Sequence, residues 1–362
     1  MFQDVFRGRR VLVTGHTGFK GSWLTRWLLD LGADITGLAL APATSPSLFT
    51  LLGLQAEIRH HEVDVRDAQG LQRVLQESRP ELVFHLAAQA LVRMSYGEPK
   101  ATWDVNVGGT VNLLEAIRQV GGVRACVVVT SDKCYENREQ VWGYRECDPM
   151  GGHDPYSSSK GATELAVASW RSSFFTASSA TRIASARAGN VMGGGDWSPD
   201  RIVVDFIRAI TSGRPLVLRN PTATRPWQHV LEPLSGYLTL AERLFQEQGK
   251  DLAEGWNFGP ADGSIVTVET LARALVAAWG EGDVQVSRDS AHPHEAGLLK
   301  LDCSKARFQL GWQGIWDLDE TVRRTVGWYR GLHLGGDPGS LTREQITAYQ
   351  TAARQAQLPW TV

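Results

Sequence analysis

Tyr156 and Lys160 stand four residues apart, which sets a phenol and an ammonium on one face wherever that segment is helical. The pairing carries a definite chemistry. A free phenol ionises near pH ~10, and a neighbouring cation favours its phenolate and lowers that value. Such a tyrosine can take the proton of a hydroxyl while hydride leaves the same carbon. One turn of any helix can supply this spacing by chance, so its meaning depends on its surroundings. Upstream, Ser131-Asp132-Lys133 sets a hydroxyl, a carboxylate and an amine side by side. An acid beside an amine can serve an elimination, one group removing a proton and the other protonating the leaving hydroxyl. The same pair can also be a salt bridge at a strand end.

A third group of residues could hold a phosphate. Val11-Leu12-Val13-Thr14 reads as a strand that runs into Gly15-His16-Thr17-Gly18-Phe19-Lys20-Gly21, which opens a helix. Glycines so placed let the backbone turn tightly and approach a pyrophosphate, with the helix N-terminus facing the negative charge. A tight strand-to-helix turn with no ligand is the alternative. The acidic residue that would accept from an adenosine ribose at the end of the second strand is absent, since the segment reads Gly37-Leu38-Ala39-Leu40-Ala41-Pro42. No arginine stands there to meet a 2'-phosphate, so NAD is expected over NADP. Asp64-Val65 at the end of the third strand either touches the adenine edge or closes the strand ahead of a helix capped by Asp67.

These residues need a sheet to position them. Apolar runs at 11–14, 35–40, 58–64, 82–86, 126–131 and 183–188 alternate with helical periodicity at 22–31, 68–77, 102–119 and 157–174. The alternation predicts an α/β fold, a doubly wound parallel sheet of Rossmann type. After about Asn190 the texture changes to glycine, proline and arginine-rich loops, which predicts a smaller C-terminal α/β domain. The division expected is 1–190 for the dinucleotide and 191–362 for a second ligand, with a helix at 230–246 that could return to the sheet. Leu341, Ile346, Tyr349 and Ala353 place one amphipathic helix in the tail.

Composition removes several classes. With 37 basic and 39 acidic side chains the net charge is -2, without the basic excess of a nucleic-acid binder. Cys126, Cys134, Cys147 and Cys303 form no CxxC pair and no zinc spacing, so reduced thiols are expected. No secretory signal and no apolar run near the roughly 20 residues of a membrane span is found. A cytoplasmic protein with neither membrane nor nucleic-acid partner, and no metal, is the expectation.

The glycine loop, the strand ending His85-Leu86-Ala87-Ala88-Gln89 and the Tyr156–Lys160 pair together resemble the extended short-chain dehydrogenase/reductase superfamily. Asn106 through Leu114 resembles that superfamily's next helix. The resemblance implies that Leu86, Ala87, Ala88 and Gln89 line the nicotinamide side, that Asn106 steadies the site, and that Tyr156 and Lys160 touch the cofactor. Superfamily members usually carry a lone serine or threonine where Ser131 stands, whereas the 4,6-dehydratases follow it with an acid-base pair, typically Asp-Glu. Here Lys133 replaces the glutamate. With the runs TGHTGFKGSW, SDKCYEN and GNVMGGGDW, the chain is similar to the CDP-glucose group of these dehydratases. That resemblance implies oxidation at C4 by NAD, loss of water across C5 and C6, and hydride return to C6. The product would feed 3,6-dideoxyhexose formation for surface polysaccharide such as O-antigen. Which of Asp132 and Lys133 is acid and which is base stays open, with Asp132 as acid the preferred assignment.

By the same resemblance Arg187 and Asn190 meet the diphosphate sugar, Gly193-Gly194-Gly195-Asp196-Trp197 wraps the nucleotide, and Arg225 and His229 stand where relatives contact substrate. Arg201, Arg219 and Arg225 are candidates to pair a pyrophosphate through their guanidinium forks, with Arg93 a further substrate candidate; a solvated surface role is the alternative for each arginine. His292-Pro293-His294-Glu295 lacks a third metal ligand in frame and is expected to close over the nucleotide. A homodimer, or a tetramer, through helices at 102–119 and 157–174 is usual in the superfamily. Two other readings stand beside this one. A 4-epimerase would have no use for an elimination pair, and a non-catalytic dinucleotide sensor would have no need of both Tyr156 and Lys160.

Overall fold

The computed structural model describes the whole chain except residues 177, 247–250 and 288–296. Its centre is a seven-stranded parallel sheet. The strands are β1 (Arg10–Thr14), β2 (Asp34–Ala39), β3 (Arg59–Glu62), β4 (Leu82–His85), β5 (Ala125–Val129), β6 (Arg182–Ala188) and β7 (Gly255–Phe258), in spatial order β7-β6-β5-β4-β1-β2-β3. The order reverses between β1 and β4, and the crevice above their carboxyl ends is where such sheets bind ligands. Both faces are covered, as a parallel sheet requires. Strand β5 shows the alternation directly: Ala125, Val127 and Val129 enter one core, Cys126 and Val128 the other.

The helices α1 (Phe19–Asp30), α2 (Ala68–Ser78), α3 (Gly109–Val120) and α4 (Pro155–Ser173) connect the strands. Helix α4 begins sharply because Asp154 accepts from Ser157 N and Pro155 takes the first turn, where its missing N–H costs nothing. One continuous helix was expected over 102–119. Instead a short helix, Pro99–Trp103, passes through a π turn, Asp104–Gly108, into α3. The π turn accommodates Asn106, whose side chain bonds outside its own helix, and Gly109 lets α3 approach the β3 exit, where a Cβ would lie 2.5 Å from Val65 Cγ2.

The second half of the chain also contributes to the sheet. Helix α5 (Leu231–Phe245) packs against β5 and β6, and β7 extends the edge beside β6. Beyond it, α6 (Val268–Trp279), α7 (Leu318–His333) and α8 (Pro338–Gln355) build the rest. The larger core joins these parts through buried tryptophans, among them Trp23, Trp27, Trp256, Trp312, Trp328 and Trp360. All four cysteines are unpaired thiols. No helix among the described residues is long and apolar enough to cross a membrane.

Candidate active site

The three loop glycines have separate duties. A Cβ on Gly15 would lie 2.6 Å from Ala87 N, and one on Gly21 would lie 2.1 Å from Gly15 O. Those two are required for packing of the turn. Gly18 has no such neighbour closer than 3.4 Å, so its small size leaves room for something outside the protein. It is also the N-cap of α1 and supplies no side-chain cap, leaving the first helical N–H groups as open donors. The loop therefore fits a dinucleotide pyrophosphate. Thr17 closes the turn by donating to Leu40 O at 2.9 Å. Near the absent ribose acid, the His16 ring fills the space over Gly37 and bonds His60 Nδ1 through Nε2 at 2.7 Å. Burial lowers the His16 imidazole to about 4, so this substitute is uncharged. Asp64 is gripped by Arg66, which holds its carboxyl low.

Asn106 and Gln89 sit at the mouth of β4 but face each other. Asn106 accepts from Gln89 N at 2.8 Å and donates to Gln89 O and to Ser159 Oγ, while Gln89 Nε2 donates to Leu91 O and Thr102 Oγ1. These bonds lock the loop carrying Leu86, Ala87 and Ala88 to helix α4.

After β5 the chain enters a short turn, Asp132–Cys134, capped by Ser131. Ser131 Oγ accepts from Lys133 N at 3.2 Å and donates to Asp132 Oδ1 at 2.9 Å; Lys133 Nζ reaches the same oxygen at 3.5 Å. The second oxygen, Asp132 Oδ2, is buried and has no hydrogen-bond partner among the described residues. Leaving a buried acceptor unsatisfied costs about 1–3 kcal/mol, more if charged, and a substrate hydroxyl would relieve it. Gly189 keeps that oxygen open, since a Cβ there would lie 2.8 Å from it.

Tyr156 lies in the first turn of α4, where its backbone N–H donates to Ser95 Oγ at 3.2 Å. Burial pushes its phenol up to about 12, opposed by a hydrogen bond with Ser131. Burial also lowers the Lys160 ammonium to about 8, against the pull of the Glu164 charge. The phenol is thus protonated at neutral pH, and its ionisation calls for further positive charge at the site. Lys20, expected as part of the phosphate loop, extends its side chain into this cluster. Its Nζ donates to Tyr237 Oη at 3.4 Å, and burial lowers it to about 7, with Arg201 adding to the fall and Asp132 opposing it. Tyr237 and Ser95 carried no motif in the sequence and emerge only from the fold.

Arg187 does not join the nucleotide side. Strand alternation turns Ser185 and Arg187 toward α4, where Ser185 Oγ and Arg187 Nη2 donate to Glu164 Oε2 at 2.6 and 2.7 Å, and Thr130 donates to the other oxygen. Arg187 Nη1 donates to Tyr135 Oη at 2.6 Å. The guanidinium is buried and braces the turn that carries Asp132 from below. Breaking such a pair leaves an uncompensated buried charge, so Arg187→Met is expected to lower unfolding free energy by about 3–5 kcal/mol. Denaturant unfolding checks this. A raised substrate KM with an unchanged unfolding midpoint would instead return Arg187 to the substrate.

A cavity of about 500 Å³ gathers Arg93, Asn190, Arg201, Arg219 and Arg225. Arg93 and Arg219 both reach Asp200, at 3.3 and 3.1 Å, and Arg225 donates to Thr224 O at 2.9 Å. Guanidinium forks so grouped match phosphate oxygens bidentately. His229 is not part of this lining. It is fully buried between Trp23 and Trp316, with ring centroids at 5.8 and 4.9 Å, because its short strand pairs with Val191–Met192 and turns the ring into the core. Burial lowers it to about 3. The run His292-Pro293-His294-Glu295 lies outside the described residues.

Residues 12–325 match the family model described as GDP-mannose 4,6 dehydratase. The chain is 49% identical over 354 residues to a CDP-glucose 4,6-dehydratase of Salmonella typhimurium, covering 97% of this chain and 98% of that protein. It is 30% identical to a UDP-glucose 4-epimerase of Mycolicibacterium smegmatis, covering 89% and 98%. Among solved structures, a dTDP-glucose 4,6-dehydratase of Streptomyces venezuelae with NAD and TYD bound superposes with a TM-score of 0.77 at 25% identity, covering 91% of this chain and 99% of that one. A UDP-glucose 4-epimerase of Thermus thermophilus in complex with NAD gives a TM-score of 0.77 at 28% identity, covering 89% and 99%.

Proposed function

The chain belongs to the GDP-mannose 4,6-dehydratase family, and from that premise we propose that it is an NAD-dependent CDP-glucose 4,6-dehydratase. The observation that carries the lyase reading is the Ser131-Asp132-Lys133 turn, with an acid and an amine beside Tyr156 and one carboxylate oxygen unsatisfied. A 4-epimerase needs the tyrosine and no elimination pair. Bound over the glycine loop, NAD supplies a hydride acceptor for C4 and the same hydride for C6. Tyr156 takes the C4 hydroxyl proton, steadied by Ser131. Lys133 removes the C5 proton and Asp132 protonates the C6 hydroxyl, which leaves as water; with hydride returned to C6, Lys133 gives a proton back to C5, yielding CDP-4-dehydro-6-deoxyglucose. Arg93, Asn190, Arg201, Arg219 and Arg225 hold the diphosphate.

Under this reading residues 1–190, with α5 and β7, form the cofactor part, and the remainder of 191–362 forms the nucleotide-sugar part. A homodimer through α3 and α4 accounts for Leu165 standing 63% exposed on α4. A cytoplasmic site follows from the cofactor and substrate, and the product suits deoxysugar synthesis for a surface polysaccharide. The deciding experiment supplies NAD with CDP-, dTDP-, UDP- or GDP-hexose and follows product mass and the 4-keto group. CDP-glucose is expected to lose one water. Conversion to CDP-galactose without a mass change would establish an epimerase instead.

A further inference from the structure

The loop Gly193-Gly194-Gly195-Asp196 borders the arginine-lined cavity through Gly193 and Asp196. Each glycine is there because something occupies its Cβ position. On Gly194 a Cβ would lie 2.0 Å from the indole of Trp328, on Gly193 2.8 Å from Val230 Cγ1, and on Gly195, at φ +83, 2.6 Å from Leu48 Cδ1. Two of the loop's carbonyls are fixed by buried side chains. Trp23 Nε1 donates to Gly194 O at 2.9 Å, and Tyr329 Oη donates to Asp196 O at 2.6 Å. Trp328 is itself anchored by Thr342 of α8, to which its indole donates at 3.0 Å. No backbone N–H from Gly193 to Asp196 reaches a backbone carbonyl among the described residues. Tethered carbonyls with unengaged amides are the arrangement of an anion-binding backbone concavity.

The two tethers come from opposite directions. Trp23 belongs to α1, whose N-terminus is the dinucleotide cradle. Trp328 and Tyr329 belong to α7 and lie past residue 325, where the family match ends. We propose that Trp23, Trp328 and Tyr329 are positioning residues that clamp this loop for the diphosphate of the sugar nucleotide, and that Trp23 couples cofactor binding to substrate binding. The inference rests on the functional reading above. A cofactor that orders α1 orders the loop through the Trp23 indole, and by linkage the nucleotide sugar strengthens cofactor binding by the same factor.

The test measures affinity for CDP, which carries the diphosphate but no sugar to oxidise, by calorimetry with and without NAD, and steady-state kinetics with CDP-glucose, in the wild type, Tyr329→Phe and Trp23→Phe. Tyr329→Phe keeps its ring and Trp23→Phe keeps a smaller aromatic ring without the N–H, and thermal midpoints identify any variant that fails to fold; Trp328→Phe replaces one that does. Tyr329→Phe is expected to raise KM about tenfold with kcat within about twofold, the signature of lost binding that is uniform between ground and transition state. NAD is expected to tighten CDP binding about five- to tenfold in the wild type and hardly at all in Trp23→Phe. An unchanged KM in Tyr329→Phe, or an unchanged ratio in Trp23→Phe, overturns the clamp. A wild type that does not turn over CDP-glucose fails the functional reading instead, and the same variants are then read with the nucleotide hexose selected by the panel above.

Discussion

Tyr156→Phe is expected to lower CDP-glucose turnover by about 10²–10⁴-fold while leaving NAD affinity within about twofold, measured by product formation and equilibrium dialysis. The ring fills the same buried space in either form, so the start of α4 and its bond to Ser95 are retained. What disappears is the hydroxyl that meets Ser131. Burial outweighs the Ser131 hydrogen bond and the Arg201 charge and leaves this phenol at about 12, beyond reach of neutral pH. A bound oxidised nicotinamide would add its own positive charge. Among the described residues the other phenol of this cluster, Tyr237, is turned to Lys20 and is pushed higher still by burial. Turnover left intact would remove Tyr156 from the chemistry.

The sheet was legible chiefly through strands that are short apolar runs, such as β1, β4 and β5; β3, Arg59-His60-His61-Glu62, is polar and lies at the edge beside β2. Strand β7 was not legible, since Gly255-Trp256-Asn257-Phe258 contains a glycine and an asparagine and follows a polar loop. Its stability comes from the neighbour β6 and from burial of Trp256 and Phe258, which are tertiary facts. The break in the helix at 104–108 was hidden for a similar reason. Asn106 looks like an ordinary helical polar residue until Gln89 and Ser159 arrive from elsewhere in the chain.

The same distinction divides the site. Gly15, Gly18 and Gly21 follow from local geometry, and the Ser131 turn and the Tyr156 helix are each contiguous, so sequence spacing exposes them. Arg187 and His229 take positions that the sequence does not show, because a side chain's residue type says nothing of the face it takes. Arg187 alternates toward Glu164, and His229 is turned inward by a two-residue strand. The His16–His60 contact joins residues from separate strand ends, and the Trp23 and Tyr329 tethers span still longer separations. Such contacts have no periodicity to read.

Asp132→Asn is expected to separate the two halves of the elimination. Loss of the carboxylic acid should reduce dehydrated product by about 10²–10⁴-fold, because the C6 hydroxyl no longer receives a proton as it leaves. Lys133 remains, so exchange of the C5 hydrogen with deuterated solvent should continue, read by mass spectrometry of recovered CDP-glucose. Lys133→Met is expected to abolish both. Should Asp132→Asn stop exchange while Lys133→Met preserves it, the two roles are reversed. Stability supplies a second readout with an independent sign. Asp132 is almost wholly buried with Oδ2 unsatisfied, while its amine partner is 29% exposed at 3.5 Å, so solvent screens the attraction more than it relieves the burial. Exchanging the carboxylate for a neutral amide lowers that desolvation cost, and the unfolding midpoint of Asp132→Asn should equal or exceed that of the wild type. A variant both inactive and at least as stable would show that an ionisable carboxyl is kept at this turn for the reaction, at some expense to the fold.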